Sequence, residues 1–391
     1  MTYDRLFFDQ GIDRRGTQSV KWETTAVMCE GMIPLWVADM DFPCAEPIRD
    51  ALRERAEHAC YGYTFEGPAD FEALAGFWLR RHNVRLRPGE SLMLPTVVAG
   101  LRAAVNTLTQ PGDGVVIQTP VYGPFSAAIR DSGRVILAAP LQRDETGRYR
   151  MDLEKVEDHL RKGARLFILC SPHNPVSRPW EREELLALVM LLKRYNARLV
   201  SDEIHADFVY APRRFVPVMS LAEAPADTIV LVSASKTFNV AGLQQANALC
   251  RDADTLRLLA RFLERSGASS GNIFALAGTR AAYAKCDDWL DAVMAYLSDN
   301  RAVVSQGLAA LLPEAVVTPM EATYLAWVDI RAYHTPQCDV GPRCRVHGVA
   351  LTDGQFFGEA EGEGFMRVNY GCPKSQLEQG LERFARAIKD K

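Results

Sequence analysis

At 391 residues, 48% of them hydrophobic and 24% charged, the chain is long enough for two domains sharing a cleft and has the make-up of an ordinary soluble fold. Its formal net charge of −4 gives no electrostatic case for nucleic acid, and no apolar run nears the roughly 20 residues that a membrane-spanning helix needs. Met1-Thr2-Tyr3-Asp4-Arg5 lacks the basic-then-apolar layout of an export signal, and the nine cysteines are scattered, so reduced thiols and a cytoplasmic setting are expected.

Met1 to about Asp41 carries little helical pattern. Asp70 to His82 is amphipathic, with Phe71, Leu74, Ala75, Trp78 and Leu79 at helical spacing. An α/β series starts at Pro95: Val97 to Arg102 opens an apolar helix, and Gly114 to Gln118 reads as a strand that leads into Thr119-Pro120-Val121-Tyr122. Leu166 to Leu169 is a second strand, leading into Cys170-Ser171-Pro172-His173-Asn174-Pro175. Glu181 to Asn196 is helical through Leu185, Leu188, Val189 and Leu192, and Arg198-Leu199-Val200 then leads into Ser201-Asp202-Glu203-Ile204-His205. Strand, helix and strand in that order predict a parallel pair with a right-handed crossover. Thr228 to Val232 is a continuous apolar run, as expected of a strand buried on both faces. It runs into Ser233-Ala234-Ser235-Lys236-Thr237-Phe238-Asn239-Val240-Ala241-Gly242.

After about Gly278 a long helical stretch continues through Leu311, followed by short strands near Tyr324 to Ile330 and Phe365 to Asn369. Arg331 to Val346, with Pro336, Gly341 and Pro342, reads as non-helical. The predicted fold is α/β: a mostly parallel central sheet in a large domain, residues 44–280, with a smaller α+β domain from residues 1–43 plus 281–391. No linker or repeat separates them.

Three strands thus aim polar residues at one rim, where open α/β sheets bind ligands. A lysine preceded by hydroxyl residues at a strand end suits a cofactor aldehyde and its phosphate, which is pyridoxal phosphate chemistry. That cofactor needs an amine, a carboxylate beside the pyridine nitrogen, a donor to the phenolic oxygen, an aromatic on the ring and phosphate-binding amides. Lys236 supplies the amine, and Asp202 would keep the pyridine nitrogen protonated. Asn174 is the donor, His205 a second candidate, and Tyr122 the stacking aromatic. The helix start at Val98, Ala99 and Gly100 offers amides and a positive dipole end, and Ser233 and Ser235 add hydroxyls. Arg367 is a candidate clamp for a substrate carboxylate. Singly, Tyr122 reads as a turn-packing aromatic, Asp202 as a helix cap, Asn174-Pro175 as a turn and Arg367 as a surface ion pair. Their joint occurrence ahead of and around Lys236 favours the site. Cys338, Cys344 and His347 cluster in sequence without a metal-site spacing, so an ordinary loop and no metal are expected there.

These residues resemble a known family. Ser-Pro-His-Asn-Pro at 171 to 175, Ser-Asp-Glu-Ile-His at 201 to 205, Ser-x-Ser-Lys at 233 to 236 and the Arg367 segment are similar to the fold-type I, class I/II aminotransferase superfamily. Ile33-Pro34-Leu35-Trp36-Val37-Ala38-Asp39-Met40-Asp41-Phe42-Pro43, Tyr61-Gly62-Tyr63-Thr64 and Lys236 to Gln244 resemble its MalY/PatB-like group of cystathionine β-lyases and carbon-sulfur lyases. The resemblance implies a homodimer in which Tyr63 reaches the neighbouring subunit's cofactor phosphate, with Val37 and Ala38 over the substrate pocket. It implies β-elimination from a small amino acid, giving thiol, pyruvate and ammonia, with Lys236, Asp202 and Tyr122 as the catalytic set. An aminotransferase, or a regulatory protein that binds the same cofactor, are the other readings. The chain departs from the family pattern at Ser177, where glycine is usual, at Gly123, where a second tyrosine is usual, and in the Arg331 to Val346 segment.

Overall fold

The computed structural model of the chain describes residues 3–24, 31–269 and 271–390, without the side chains of residues 337 and 338. The central sheet has seven strands, in the spatial order Ser91–Leu94, Ala246–Leu249, Ile229–Val232, Arg198–Asp202, Leu166–Cys170, Gly114–Ile117, Val135–Ala138. The last five run parallel, and Ala246–Leu249 is antiparallel to both of its neighbours. The sequence dictates this burial directly: every residue of Leu166–Cys170 and of Ile229–Val232 is buried, as unbroken apolar runs require when helices cover both faces of a sheet. Each such aliphatic side chain contributes about 1.5–3 kcal/mol.

Helices Val97–Leu108, Pro124–Arg130 and Ala253–Arg265 pack one face of the sheet. The core on the other face takes in Arg182–Arg194 and continues without interruption into the smaller sheet and the N-terminal segment, from Phe8 and Ile33 to Ile388. From Gly114–Ile117 the chain moves outward to Val135–Ala138 and then returns on the opposite side as Leu166–Cys170. The ends of those two strands part at this reversal, which is where a doubly wound sheet opens a crevice.

A second, antiparallel sheet is ordered Val316–Val317, Leu325–Asp329, Phe365–Asn369, Thr352–Asp353, and Arg367 sits opposite Trp327 on one side and Thr352 on the other. Ile33–Pro34 pairs with Val349–Ala350, fastening the N-terminal segment to the C-terminal part of the chain. The helices Ile273–Lys285 and Asp287–Leu311 realise the expected helical stretch.

The expectation of no helix in Arg331 to Val346 is overturned, since Gln337–Val346 is helical with Pro342 inside it. Burial of Val340 and Cys344, one turn apart, against the C-terminal helix Lys374–Lys389 outweighs the N–H that the proline lacks. His347 faces Asp390 at 3.2 Å and Cys344 is buried, while the side chain of Cys338 lies outside the described residues.

Candidate active site

The lysine turn follows from its capping chemistry. After Val232 the chain leaves the sheet, and Ser233 caps the single helical turn Ala234–Thr237, accepting from Ser235 N–H at 3.0 Å. Lys236 projects from this turn, and its Nζ donates to the carbonyl of Ala38. Withdrawal from water pushes its ammonium down to about 8, opposed mainly by the Asp39 carboxylate, so a usable neutral amine exists near physiological pH.

Asp202 ends the neighbouring strand, buried, with the Ile204 amide donating to it at 3.1 Å. Burial raises this carboxyl to about 7, only partly offset by that amide and by Lys236. A carboxylate held there calls for a cation beside it. His205 is buried too, and loss of water, followed by the charges of Lys236 and Arg367, lowers it to about 3, so the imidazole is neutral. Its Nδ1 has no hydrogen-bond partner, an orphaned polar atom at the wall of the cleft. Tyr122, Asn174, Asp202, His205, Ser233, Ser235 and Lys236 line one cleft together with Ala38.

Arg367 is buried rather than part of a surface ion pair, because its strand lies inside the smaller sheet. It donates through Nη1 to Asn174 Oδ1 at 3.1 Å, and through Nη2 to Trp36 O at 2.7 Å and Thr352 Oγ1 at 3.2 Å. Its guanidinium lies 4.8 Å above the Phe357 ring. Among the described residues no carboxylate pairs with it. Burial lowers its pKa to about 10, which leaves it charged at neutral pH. With Asn174 Oδ1 accepting from Arg367, the amide NH2 of Asn174 is the donor left for the cleft.

Several holding residues escaped the sequence reading. Asn239, three residues after Lys236, donates from Nδ2 to Met40 O and Phe42 O, both at 2.8 Å, and accepts from Met40 N–H at 2.9 Å. Asn369 donates to Val37 O and, at 2.8 Å, to Asp39 O. Tyr324 donates to Ala38 O at 3.0 Å, and the buried Lys21 reaches Asp41 at 2.9 Å. Residues 36–42 are thereby pinned as a strap across the cleft, with Ala38 on its lining and Val37 outside the set of lining residues. No local signal marks them, since an amide side chain that satisfies backbone groups of a remote segment leaves no period in the sequence.

Four expectations are adjusted by geometry. Ala99 N–H donates to Thr96 Oγ1 at 3.1 Å and Gly100 N–H to Thr96 O at 3.1 Å, so neither amide is free for a phosphate. Gly100 serves packing instead, since a Cβ there would come within 2.6 Å of Leu94. The cleft is lined by Thr96, Val97 and Val98, one step earlier, and a threonine before an apolar helix was the legible cap. Ser233 gives its only hydroxyl proton to Gln245 O at 2.6 Å, whereas the Ser235 hydroxyl has no protein partner among the described residues. Tyr63 stands fully exposed and touches nothing of its own chain's cleft. At Ser177 φ is +56°, the reason glycine is usual, and the hydroxyl bonds Leu325 O and Thr323 Oγ1 of the smaller sheet. At Gly123 a Cβ would meet Phe356 O at 2.9 Å, so that space is filled by Phe356.

The donor set fits pyridoxal phosphate: a depressed amine, a buried carboxyl short of a cation, a free Asn174 amide, an orphaned imidazole nitrogen and an open helix start meet in one cleft. Along 386 residues the chain is 39% identical to the cystathionine beta-lyase PatB of Bacillus subtilis, covering 97% of this chain and 99% of that protein. A PLP-bound putative aminotransferase from Clostridium difficile superposes with a TM-score of 0.94 at 34% identity, covering 98% of this chain and 99% of the other. The PLP-bound C-S lyase of Staphylococcus hominis superposes with a TM-score of 0.91 at 30% identity, covering 98% of each chain. The model of the class I and II aminotransferases matches residues 30–384, and the chain belongs to that family.

Proposed function

We propose that the protein is a pyridoxal phosphate-dependent carbon-sulfur β-lyase, releasing thiol, pyruvate and ammonia from a cysteine S-conjugate such as cystathionine. The observation that carries this is the meeting of Lys236 and Asp202, from neighbouring strand ends, in one cleft with Asn174, to which Arg367 from the far end of the chain donates, in a fold shared with C-S lyases. When bound, the cofactor supplies an electron sink for the carbanion left at the substrate α-carbon. Arg367 holds the substrate carboxylate, and Tyr122, on the lining of the cleft, offers a ring for stacking. Lys236 takes the proton from the α-carbon onto Nζ. The Cβ–S bond then breaks, its electron pair leaves with sulfur as a thiolate, and the residual enamine is hydrolysed by water to pyruvate and ammonia. Asp202 would hold the cofactor's pyridine nitrogen in its protonated form by its negative charge, which its own buried position favours only with a cation beside it.

The test is to supply cofactor and cystathionine without any keto acid and to measure pyruvate and free thiol. Equimolar release of both is expected. Release that begins only when a keto acid is added would make the protein an aminotransferase, the second reading, which the name of the Clostridium difficile relative favours.

The same reading includes a homodimer, supported by the exposed aromatics Tyr61, Tyr63 and Phe65, with Tyr63 at the neighbouring subunit's phosphate. Light scattering of the purified protein would give twice the 43.5 kDa chain mass. It also includes the division into residues 44–280 and residues 1–43 plus 281–391, and work in the cytoplasm. No helix among the described residues is long and apolar enough to cross a membrane.

A further inference from the structure

Lys236 stands on a helix of one turn, Ala234–Thr237. So short a helix does not hold itself, because nucleation costs more than one hydrogen bond returns. On its N-terminal side the turn is fixed by Ser233. On its C-terminal side Thr237, buried, donates from Oγ1 to Asp207 Oδ2 at 2.6 Å.

Asp207 lies on the loop that follows Asp202 and His205. The Thr237 bond therefore ties the turn bearing the amine to the loop bearing the carboxylate and imidazole. The other oxygen of Asp207, Oδ1, faces His82 Nε2 at 3.0 Å, with both side chains only 6% exposed, but the two atoms are not aligned as a hydrogen bond. Among the described residues no lysine or arginine pairs with Asp207, and His82 is the nearest basic side chain to it. His82 is the last residue of the helix Pro68–His82, and its ring is boxed in by Trp78 at 4.6 Å, Phe215 at 5.3 Å and Phe77 at 6.1 Å. None of the three residues lines the cleft around Lys236.

The geometry points to His82, Asp207 and Thr237 as a positioning chain that sets where the Lys236 amine stands relative to Asp202. His82 packs against the carboxylate, the carboxylate fixes the hydroxyl of Thr237, and the hydroxyl fixes the turn that carries the lysine. This rests on Lys236 being the reacting amine of the proposed function.

The experiment pairs Thr237→Val, which keeps the branched shape and loses the hydroxyl, with Thr237→Ser, which keeps the hydroxyl and loses a methyl group. Each holoenzyme is assayed for kcat and KM, for thermal midpoint, and for the visible circular dichroism of the bound cofactor, which reads how the lysine presents it. Misplacement of a reacting group by about an ångström costs on the order of 100-fold. Thr237→Val should therefore lose roughly 10–100-fold in kcat with KM within about threefold, and its dichroism band should shrink. Thr237→Ser should recover kcat to within about threefold of the parent and restore the band. If Thr237→Val lowers only the thermal midpoint, or if Thr237→Ser is as impaired as Thr237→Val, the hydroxyl positions nothing and the inference is wrong.

Asp207→Asn gives an independent arm should the valine variant not fold. It keeps size and shape but replaces the charged acceptor of the Thr237 hydroxyl by a neutral one, and an unchanged kcat and dichroism there would equally overturn the chain. A parent enzyme with no lyase activity would refute the proposed function instead, while the dichroism of the variants would still report on the lysine's placement.

Discussion

Lys236, Asp202 and Asn174 come to the cleft on the ends of adjacent strands, whereas Ala38, Arg367 and Asn369 come to it on a strap and a second sheet from the two ends of the chain. The first group is placed by apolar burial and ladder register, settled before any polar side chain has to find a partner. The second is placed by side chains reaching backbone carbonyls: Asn239 to Met40 and Phe42, Asn369 to Val37 and Asp39, Arg367 to Trp36. The difference teaches that losing a rim side chain should remove chemistry and spare the fold. Losing a strap side chain should weaken the closure of the site by degrees.

The largest separation should come from Lys236→Ala. Amine and proton carrier vanish together, so pyruvate release should fall by about 10⁴-fold or more while the thermal midpoint stays near the parent's. Retention of turnover near the parent rate would break the comparison on its rim side. Next is Arg367→Lys, which keeps a charge but loses the planar fork, and KM for the amino acid should rise roughly 10–100-fold with a smaller change in kcat. An unchanged KM would place the carboxylate elsewhere.

Smaller still, and on the strap side, Asn369→Ala should lower the unfolding free energy by about 1–3 kcal/mol in a denaturant titration, because it leaves Val37 and Asp39 carbonyls unpaired. No change would mean that the strap is held by its apolar neighbours alone. The last prediction concerns pH. In cofactor-free protein the folded Asp202 keeps its proton up to about 7, while the unfolded chain releases it near the ordinary 3.8. Between those values the folded state binds more protons, so stability should fall as pH rises, by a fraction of the roughly 1.4 kcal/mol per pH unit that one proton allows, and the slope should end above pH 7. Glu203, raised by burial to about 8, adds a slope of the same sign. Parent minus Asp202→Asn therefore isolates Asp202, and equal slopes in the two proteins would show that its burial costs nothing.

The rim was legible because the same residues that make the strands announce where they stop. Leu166 to Cys170 and Ile229 to Val232 are fully buried as their composition demands, and the first polar residues past them are at the site. What was not legible depended on who meets whom. Ser233 looked like a phosphate ligand until Gln245 claimed its proton, and Gly100 looked like an anion loop until Leu94 and Leu231 closed on it. The helix Gln337–Val346 was hidden behind Pro342, although Val340 and Cys344 stood one turn apart in plain view. Asn239 and Asn369 carry no pattern at all, since a single amide clamping carbonyls from a remote segment has neither period nor neighbour in sequence.

Arg367 has five N–H groups, and three of them are already given to Asn174, Trp36 and Thr352. The two that remain, Nε–H, which has no partner, and one on Nη1, lie on different edges of the planar group, so they do not form a fork for a single carboxylate. Substrate and strap therefore draw on the same atom: a carboxylate gripped by two N–H groups must take one from Nη2, which now serves Trp36 and Thr352, so filling the site and loosening the strap become one event.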